Sequence, residues 1–153
     1  MRATKILLPL LAAALLTQAC TKEYITNEYI TEETVIKGAD MSLVDFNVRS
    51  NNWQLRDGYF EVVLNVPEIT KEVVAKGNVQ VSRRFDENGK TIWTPLPTMR
   101  VDVDTADDGS DFYYTTYIDF EWSEGSLSIF VTTTDLYTGN NPGDMAFRVA
   151  ILL

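Results

Sequence analysis

The chain has 153 residues, with 13 Lys and Arg against 22 Asp and Glu, a formal net charge of −9, one cysteine and no histidine. Its negative charge repels phosphate groups, which excludes nucleic acid as a partner. Without histidine, and with a single cysteine, His-assisted Ser or Cys nucleophiles, His-ligated zinc and iron–sulfur clusters are excluded as well. We therefore expect no cofactor and no metal, and only carboxylate, Lys, Tyr or Ser/Thr chemistry remains open.

Residues 1–19 have the order of an export signal. Arg2 and Lys5 precede an apolar run over 6–16, and polar residues begin directly after Ala19 and Cys20. The run is much shorter than the ~20 residues that span a bilayer, so it predicts a cleaved signal peptide rather than a membrane helix. Cys20 has no second cysteine to pair with. The alternative is an ordinary secretory signal followed by a chance cysteine.

Residues 20–40 are predicted to form a tether. The segment from Lys22 to Thr26 (KEYIT) is nearly repeated as NEYIT over 27–31, and four Glu residues lie between 23 and 33. A period of five fits neither a helix nor a strand. The alternative is an added β-strand, because Tyr, Ile, Thr and Val favour strands.

From Met41 onward apolar residues alternate with polar ones, which indicates strands with one buried face. The longest example is 110–122, and weaker or shorter ones cover 44–48, 60–66, 127–131 and 145–153. In 79–85 the series Val79, Val81, Phe85 is interrupted by Arg83. Asn88-Gly89 gives the clearest hairpin signal, since both residues tolerate positive φ.

These segments predict an all-β domain over 41–153, an antiparallel β-sandwich of the Ig-like, Greek-key kind with seven or eight strands. A small, partly open barrel is the alternative. One short helix is expected over 68–76, following Pro67 and ending at Gly77. Pro95 and Pro97 cannot donate ladder hydrogen bonds, so 92–97 is predicted to be an edge strand or an extended connection.

The Cys20 signal, the repeated polar stalk and the segments VPEIT (66–70), TPLP (94–97) and MAFRV (145–149) together resemble small, uncharacterised lipoproteins of the Bacteroidetes type. Thr17 stands where such signals usually carry leucine, with Leu16 one place earlier. The resemblance implies cleavage before Cys20, acylation of its sulfur and amine, and a cell-envelope location, most consistent with the outer membrane. Two or three acyl chains make a durable anchor, whereas one holds only marginally. The resemblance supplies no activity and no catalytic residues.

One face of the 110–122 strand is a candidate ligand-binding surface. Tyr113, Tyr117, Asp119 and Glu121 share the side opposite the predicted core. Exposed rings beside carboxylates suit a glycan or a peptide, although tyrosine on a sheet surface is also routine cross-strand packing. An exposed edge there would also accept a partner strand.

Two other segments allow a functional reading. The acidic run over 102–111 has the oxygen ligands that Ca²⁺ prefers, but it does not fit an EF-hand loop, so a solvated hairpin tip is favoured. Trp93 and Trp53 are either ligand platforms or core side chains, and core packing is favoured.

The sequence thus favours a membrane-anchored envelope protein whose β-domain binds a glycan or a protein without catalysis. The alternative is a hydrolase that uses carboxylates such as Asp119 and Glu121. A concave pocket with two or more converging acids would distinguish the enzyme from a flat binding face.

Overall fold

The structure, a computed structural model, describes residues 31–37, 41–106, 108–134 and 141–153. These residues form two antiparallel sheets, which confirms the predicted β-sandwich. The first sheet has the spatial order β1 (Thr31–Lys37), β2 (Met41–Val48), β10 (Met145–Leu152), β5 (Asn78–Glu87) and β6 (Lys90–Pro95). The second has the order β3 (Gln54–Leu55), β4 (Phe60–Asn65), β9 (Ser126–Thr133), β8 (Asp111–Ser123) and β7 (Thr98–Thr105). The chain crosses between the sheets after β2, β4, β6 and β9.

The hydrophobic core lies between the two sheets and follows the predicted period of two. On β8, Ile118 is buried while Tyr117 and Asp119 on either side are exposed. Its cross-strand partner Val131 is buried as well. The largest fully buried side chains come from both sheets and from the turn before the helix: Phe147, Leu64, Ile69, Ile118, Leu127 and Ile129. Since one cysteine forms no disulfide within the chain, this core is the main source of stability.

The helix α1 (Lys71–Lys76) begins three residues later than predicted. The hydroxyl of Thr70 accepts a hydrogen bond from the backbone N–H of Val73 at 3.3 Å, so Thr70 is the N-cap. Ile69 is buried in a turn before the helix, and Val73 buries the helix against the core. A Cβ on Gly77 would clash with the backbone carbonyl oxygen of Leu152, which explains why the residue after the helix is a glycine.

The two edge strands of the first sheet are positioned by the β5–β6 hairpin and by the pairing of β1 with β2. Asn88 and Gly89 have φ of 53° and 73° and close the β5–β6 hairpin, as the sequence predicted. The strand β1 pairs with β2, so residues 31–37 belong to the sandwich and not to the predicted tether. The alternative interpretation, an added strand, is correct for that part of the segment. Residues 20–30 and 38–40, the rest of the predicted tether, lie outside the described residues, as does the signal over 1–19.

The tryptophans separate into two environments. Trp53 is buried in the core and donates its Nε1–H to the carbonyl oxygen of Gly143 at 3.3 Å. Trp93 is on the outer side of β6, where the guanidinium carbon of Arg148 lies 4.3 Å from the ring centre. Core packing is therefore right for Trp53 and wrong for Trp93, which shares its face with its cross-strand partner Arg84.

Substitutions on β8 test the assignment of its two faces. Ile118→Asp puts a carboxylate at a side chain that is 1% exposed, whereas Tyr113→Asp changes one that is 73% exposed. An unpaired buried carboxylate costs several kcal/mol against a total stability of ~5–15 kcal/mol. We expect Ile118→Asp to abolish the cooperative thermal transition and Tyr113→Asp to leave it nearly unchanged by circular dichroism. Equal melting temperatures would show that the register of β8 is wrong.

Candidate functional site

The structure exposes all four residues of the predicted ligand-binding surface. Tyr113, Tyr117, Asp119 and Glu121 project from the outer side of β8. Tyr113 is 73% exposed and Tyr117 49%, so no described part of the chain covers them. The two tyrosines lie ~13 Å apart along the strand at ~3.3 Å per residue. The predicted face is present as a surface, and its role in binding stays a prediction.

The neighbouring strand β7 extends this surface with aliphatic side chains. Val103 lies opposite Tyr113 and Met99 opposite Tyr117, with Val101 between them. Met99, Val101 and Val103 are 58%, 67% and 55% exposed. We call the five residues Met99, Val101, Val103, Tyr113 and Tyr117 the β7–β8 outer face. Scattered exposed apolar residues are ordinary, whereas a contiguous group of them is a candidate interaction surface.

A second site, which the sequence did not predict, is a cleft of about 490 Å³ between the two sheets. It begins where the apolar core ends. On β5 the inward positions change from Val79 and Val81 to Arg83 and Phe85, and on β7 they carry charges. The cleft is therefore lined by aromatic and charged side chains together: Tyr59, Phe60, Phe85, Phe112, Tyr114, Arg83, Arg100, Asp86, Glu87, Asp102 and Asp104.

Arg83 is the half-buried cation of this inter-sheet cleft. Its Nε is buried and has no hydrogen-bond partner among the described residues, and its guanidinium forms no ion pair with any of them. Burial lowers the pKa of Arg83, the charge of Asp102 opposes that shift, and the charge of Arg100 adds to it. The described part of the chain thus gives this partly desolvated guanidinium no bonded counter-ion, which is costly unless a ligand satisfies it.

The ring of Phe85 contacts two arginine side chains of the cleft. The guanidinium carbons of Arg83 and Arg100 lie 4.3 Å and 4.4 Å from the centre of its ring, within the range of cation–π attraction. Arg100 is further fixed by Glu87, at 2.9 Å between Nη2 and Oε1. These contacts hold the guanidinium groups of Arg83 and Arg100 at the cleft, and none of them gives Arg83 a bonded carboxylate.

The carboxylates of the cleft are all engaged in hydrogen bonds. Asp102 accepts from the hydroxyl of Thr116 at 2.6 Å, and Asp104 accepts from the backbone N–H of Thr105 at 2.8 Å. At the rim, hydrogen bonds from Thr91 and Arg84 lower the pKa of Asp86. A glycosidase needs one carboxylic acid that holds a proton for the leaving group. Asp86 is shifted in the opposite direction, and Glu87 is ion-paired.

A hydrolase is expected to have a concave pocket in which two or more acids converge, and the inter-sheet cleft meets the requirement for a concave pocket that contains acids. It is concave and contains several acids, whereas the predicted pair Asp119 and Glu121 lies on the flat outer side of β8. The arrangement of the cleft acids, each with its own donor, suits binding better than proton transfer. Arg83 was the available signal in the sequence, because a cation at an inward position marks the end of the core.

The acidic segment 102–111 is divided between two places. Asp102 and Asp104 point into the cleft, while Asp108 caps the β7–β8 turn by accepting from the backbone N–H and hydroxyl of Ser110 at 2.9 Å and 2.6 Å. These bonds lower the pKa of Asp108. Asp107 lies outside the described residues. Within the described ranges no group of three His, Cys, Asp or Glu side chains is arranged to hold a metal ion.

Comparison with known proteins does not assign the chain. No family model matches it, and neither the curated proteins nor the solved structures contain a match. Among the described residues no helix has both the length and the apolar composition to cross a bilayer. The function is therefore argued from the two surfaces themselves.

Replacement of Arg83 tests whether the cleft is held ready for a ligand at the expense of stability. Arg83→Met keeps an unbranched chain and removes a half-buried charge that has no bonded counter-ion within the described ranges. We expect the free energy of unfolding in urea to rise by about 1 kcal/mol, the lower end of the cost of burying an unsatisfied polar group. Arg100→Met is the matched control, and because it removes the Glu87 ion pair it should give no gain. A clear loss of stability in Arg83→Met would mean that the guanidinium is structural.

Proposed function

We propose that this chain is a bacterial envelope lipoprotein, anchored through lipidated Cys20, whose β-sandwich is a non-enzymatic module that binds a neutral glycan. The anchor is supported by the export signal that ends at the only cysteine. The binding function is supported above all by one observation, the inter-sheet cleft with aromatic walls and an arginine whose buried Nε has no hydrogen-bond partner among the described residues.

The chemistry of the cleft fits a carbohydrate ring. Sugars present an apolar C–H face that packs on aromatic rings, and hydroxyls that both donate and accept hydrogen bonds. Phe112 and Tyr114 lie side by side on β8 with ring centres 6.1 Å apart. Asp102 and Asp104 are acceptors for hydroxyl protons, and Arg83 is a donor to hydroxyl or ring oxygens. A cleft of about 490 Å³ has room for a few sugar units at most.

The balance of charge favours a neutral sugar over an acidic one. Arg100 is paired with Glu87, and the charge of Arg83 is opposed by that of Asp102 in a cleft that Asp104 also lines. The whole chain carries a formal charge of −9, so an anionic ligand approaches an unfavourable potential. The β7–β8 outer face fits sugars less well, because the apolar side chains of Met99, Val101 and Val103 cannot form hydrogen bonds with sugar hydroxyl groups.

A hydrolase is the second candidate, and the observation that favours it is the presence of Asp102 and Asp104 on one side of β7. Their positions two residues apart put them ~6.6 Å apart along the strand. We rank it second because both carboxylates accept hydrogen bonds within the protein. The test is whether any glycan that binds is cleaved to release new reducing ends. Cleavage that is lost in Asp102→Asn and in Asp104→Asn, while both variants still bind the glycan, would make the hydrolase the first candidate.

Removal of the single thiol tests the anchor. In Cys20→Ala we expect the domain to move from the membrane fraction to the soluble fraction, because the proposed acyl chains have no other point of attachment. Cys20→Ser is a second variant with the same expected result. A chain that resists a carbonate wash after either substitution is anchored elsewhere.

A panel of neutral and acidic glycans tests the ligand and its location together. We expect detergent-solubilised full chain to bind neutral glycans, and Arg83→Met and Phe112→Ala each to weaken binding by tenfold or more, about 1.4 kcal/mol. The matched control is the double variant Tyr113→Ala/Tyr117→Ala, which changes the outer side of the same strand and should bind normally. Binding that survives both cleft variants but fails in the tyrosine variant would move the site to the outer face.

A further inference from the structure

The strand β7 is an unpaired edge strand, and the side chains on its outer side are apolar and exposed. It is the last strand of the second sheet, and no described strand pairs with its free side. Its outward residues Met99, Val101 and Val103 are all more than half exposed. Open edges normally avoid exposed apolar rows, because unpaired N–H and C=O groups beside them invite another strand.

The inward row of the same strand carries charges of both signs. Thr98, Arg100, Asp102 and Asp104 follow one another on the side that faces the cleft. Inward charges on an edge strand ordinarily discourage pairing with other chains. Here their order matters, because a cation and an anion are separated by one residue, Val101, and an antiparallel copy reverses that order.

We propose that two copies of this chain pair antiparallel through β7, with Val101 opposite Val101 of the second copy on a two-fold axis. In that register Arg100 lies opposite the second copy's Asp102, and Thr98 opposite its Asp104. On the outer side Met99 lies opposite Val103. Residues directly opposite in an antiparallel pair have Cβ atoms ~4.5–5.5 Å apart. The junction therefore brings Arg100, which also bonds Glu87, within reach of a second carboxylate, Asp102 of the other copy, and it brings the apolar side chains of the outer rows into contact. The interface is self-complementary, as a two-fold dimer requires.

The neighbouring registers are disfavoured by the same side chains. A two-fold axis at position 100 puts Arg100 opposite itself, and an axis at position 102 puts Asp102 opposite itself. An axis at position 103 puts Asp102 opposite Asp104. Like charges directly opposite one another destabilise a sheet, so among the axes at positions 100 to 103 the register at Val101 is the one that the sequence of β7 selects.

The pairing also joins the outer faces into one continuous surface. Tyr117 lies beside Met99 in each copy, and Val103 lies beside Tyr113. Across the junction the order becomes Tyr117, Met99, Val103 and Tyr113, the last two from the second copy. The exposed apolar group of one copy is thus continued by that of the other, and the two inter-sheet clefts are brought side by side.

Cysteine cross-linking tests the proposed β7–β7 register directly. In full chain with Cys20→Ala the introduced thiol is the only one. We expect Val101→Cys to form a disulfide-linked dimer under mild oxidation, because two-fold symmetry brings position 101 next to itself. Val103→Cys is the matched control on the same face and should not cross-link alone, since the two copies are ~13 Å apart there along the strand. A mixture of Met99→Cys and Val103→Cys chains should cross-link.

Charge reversal gives a second test that needs no new thiol. We expect Arg100→Asp and Asp102→Arg each to weaken dimerisation by on the order of tenfold or more, because two like pairs then face each other. Mixing the two variants restores opposite charges at both positions and should restore the dimer. Sedimentation in ~0.15 M salt measures both, since the Debye length there is ~8 Å and general repulsion is screened.

Three results overturn the proposal. The first is a monomer at all concentrations with no cross-link at position 101. The second is equal cross-linking of Val101→Cys and Val103→Cys, which indicates random collision. The third is a dimer that survives both charge reversals unchanged. Thermal melting of each variant establishes that it is folded before it is compared.

Discussion

The packing of apolar side chains between the two sheets holds this domain together, and the place where that packing ends determines what the domain can do. No disulfide within the chain supports the fold, so the inward faces of β2, β5 and β10 must bury enough surface against β4, β8 and β9. The core is continuous from Ile151 to Phe147 and from Val79 to Val81. At Arg83 it stops, and the same interior becomes a cleft. The buried core and the proposed binding cleft thus occupy one inter-sheet space, and the boundary between them on β5 lies at Arg83.

A strand with a period of two places different chemistry on its two sides, and β7 shows this most clearly. Its even positions carry Arg100, Asp102 and Asp104 into the cleft, and its odd positions carry Met99, Val101 and Val103 to the outside. One strand therefore contributes to the proposed ligand site and to the proposed docking surface. Arg100 and Asp102 take part in both proposals, although a ligand in the cleft and a second copy at the edge approach from different directions.

The fold could be read from the sequence because its signals are local. The alternation in β8, the Asn88-Gly89 turn and the edge character of 92–97 each depend on neighbours a few residues away. The start of the helix was misplaced because Thr70, and not Pro67, provides the cap. Part of the predicted tether became β1 because strand propensity is realised only when a partner such as β2 is available.

The cleft could not be read in the same way, because its residues meet only through tertiary structure. Arg83 and Phe85 come from the first sheet, and Arg100, Asp102 and Thr116 from the second. The sequence shows that Arg83 breaks a pattern but not which side chains face it. The outer tyrosines were easier to identify, because a single strand determines their common face.

The account depends on Arg83 being a ligand-binding cation. The most direct measurement is NMR of the side-chain Nε–H groups of arginine while a panel of neutral oligosaccharides is added. We expect the Arg83 resonance, which reports a buried N–H with no partner among the described residues, to shift on binding together with amides of β5, β7 and β8 that line the cleft. Shifts confined to the outer face around Tyr113 and Tyr117, with the Arg83 signal unchanged at saturation, would contradict the account.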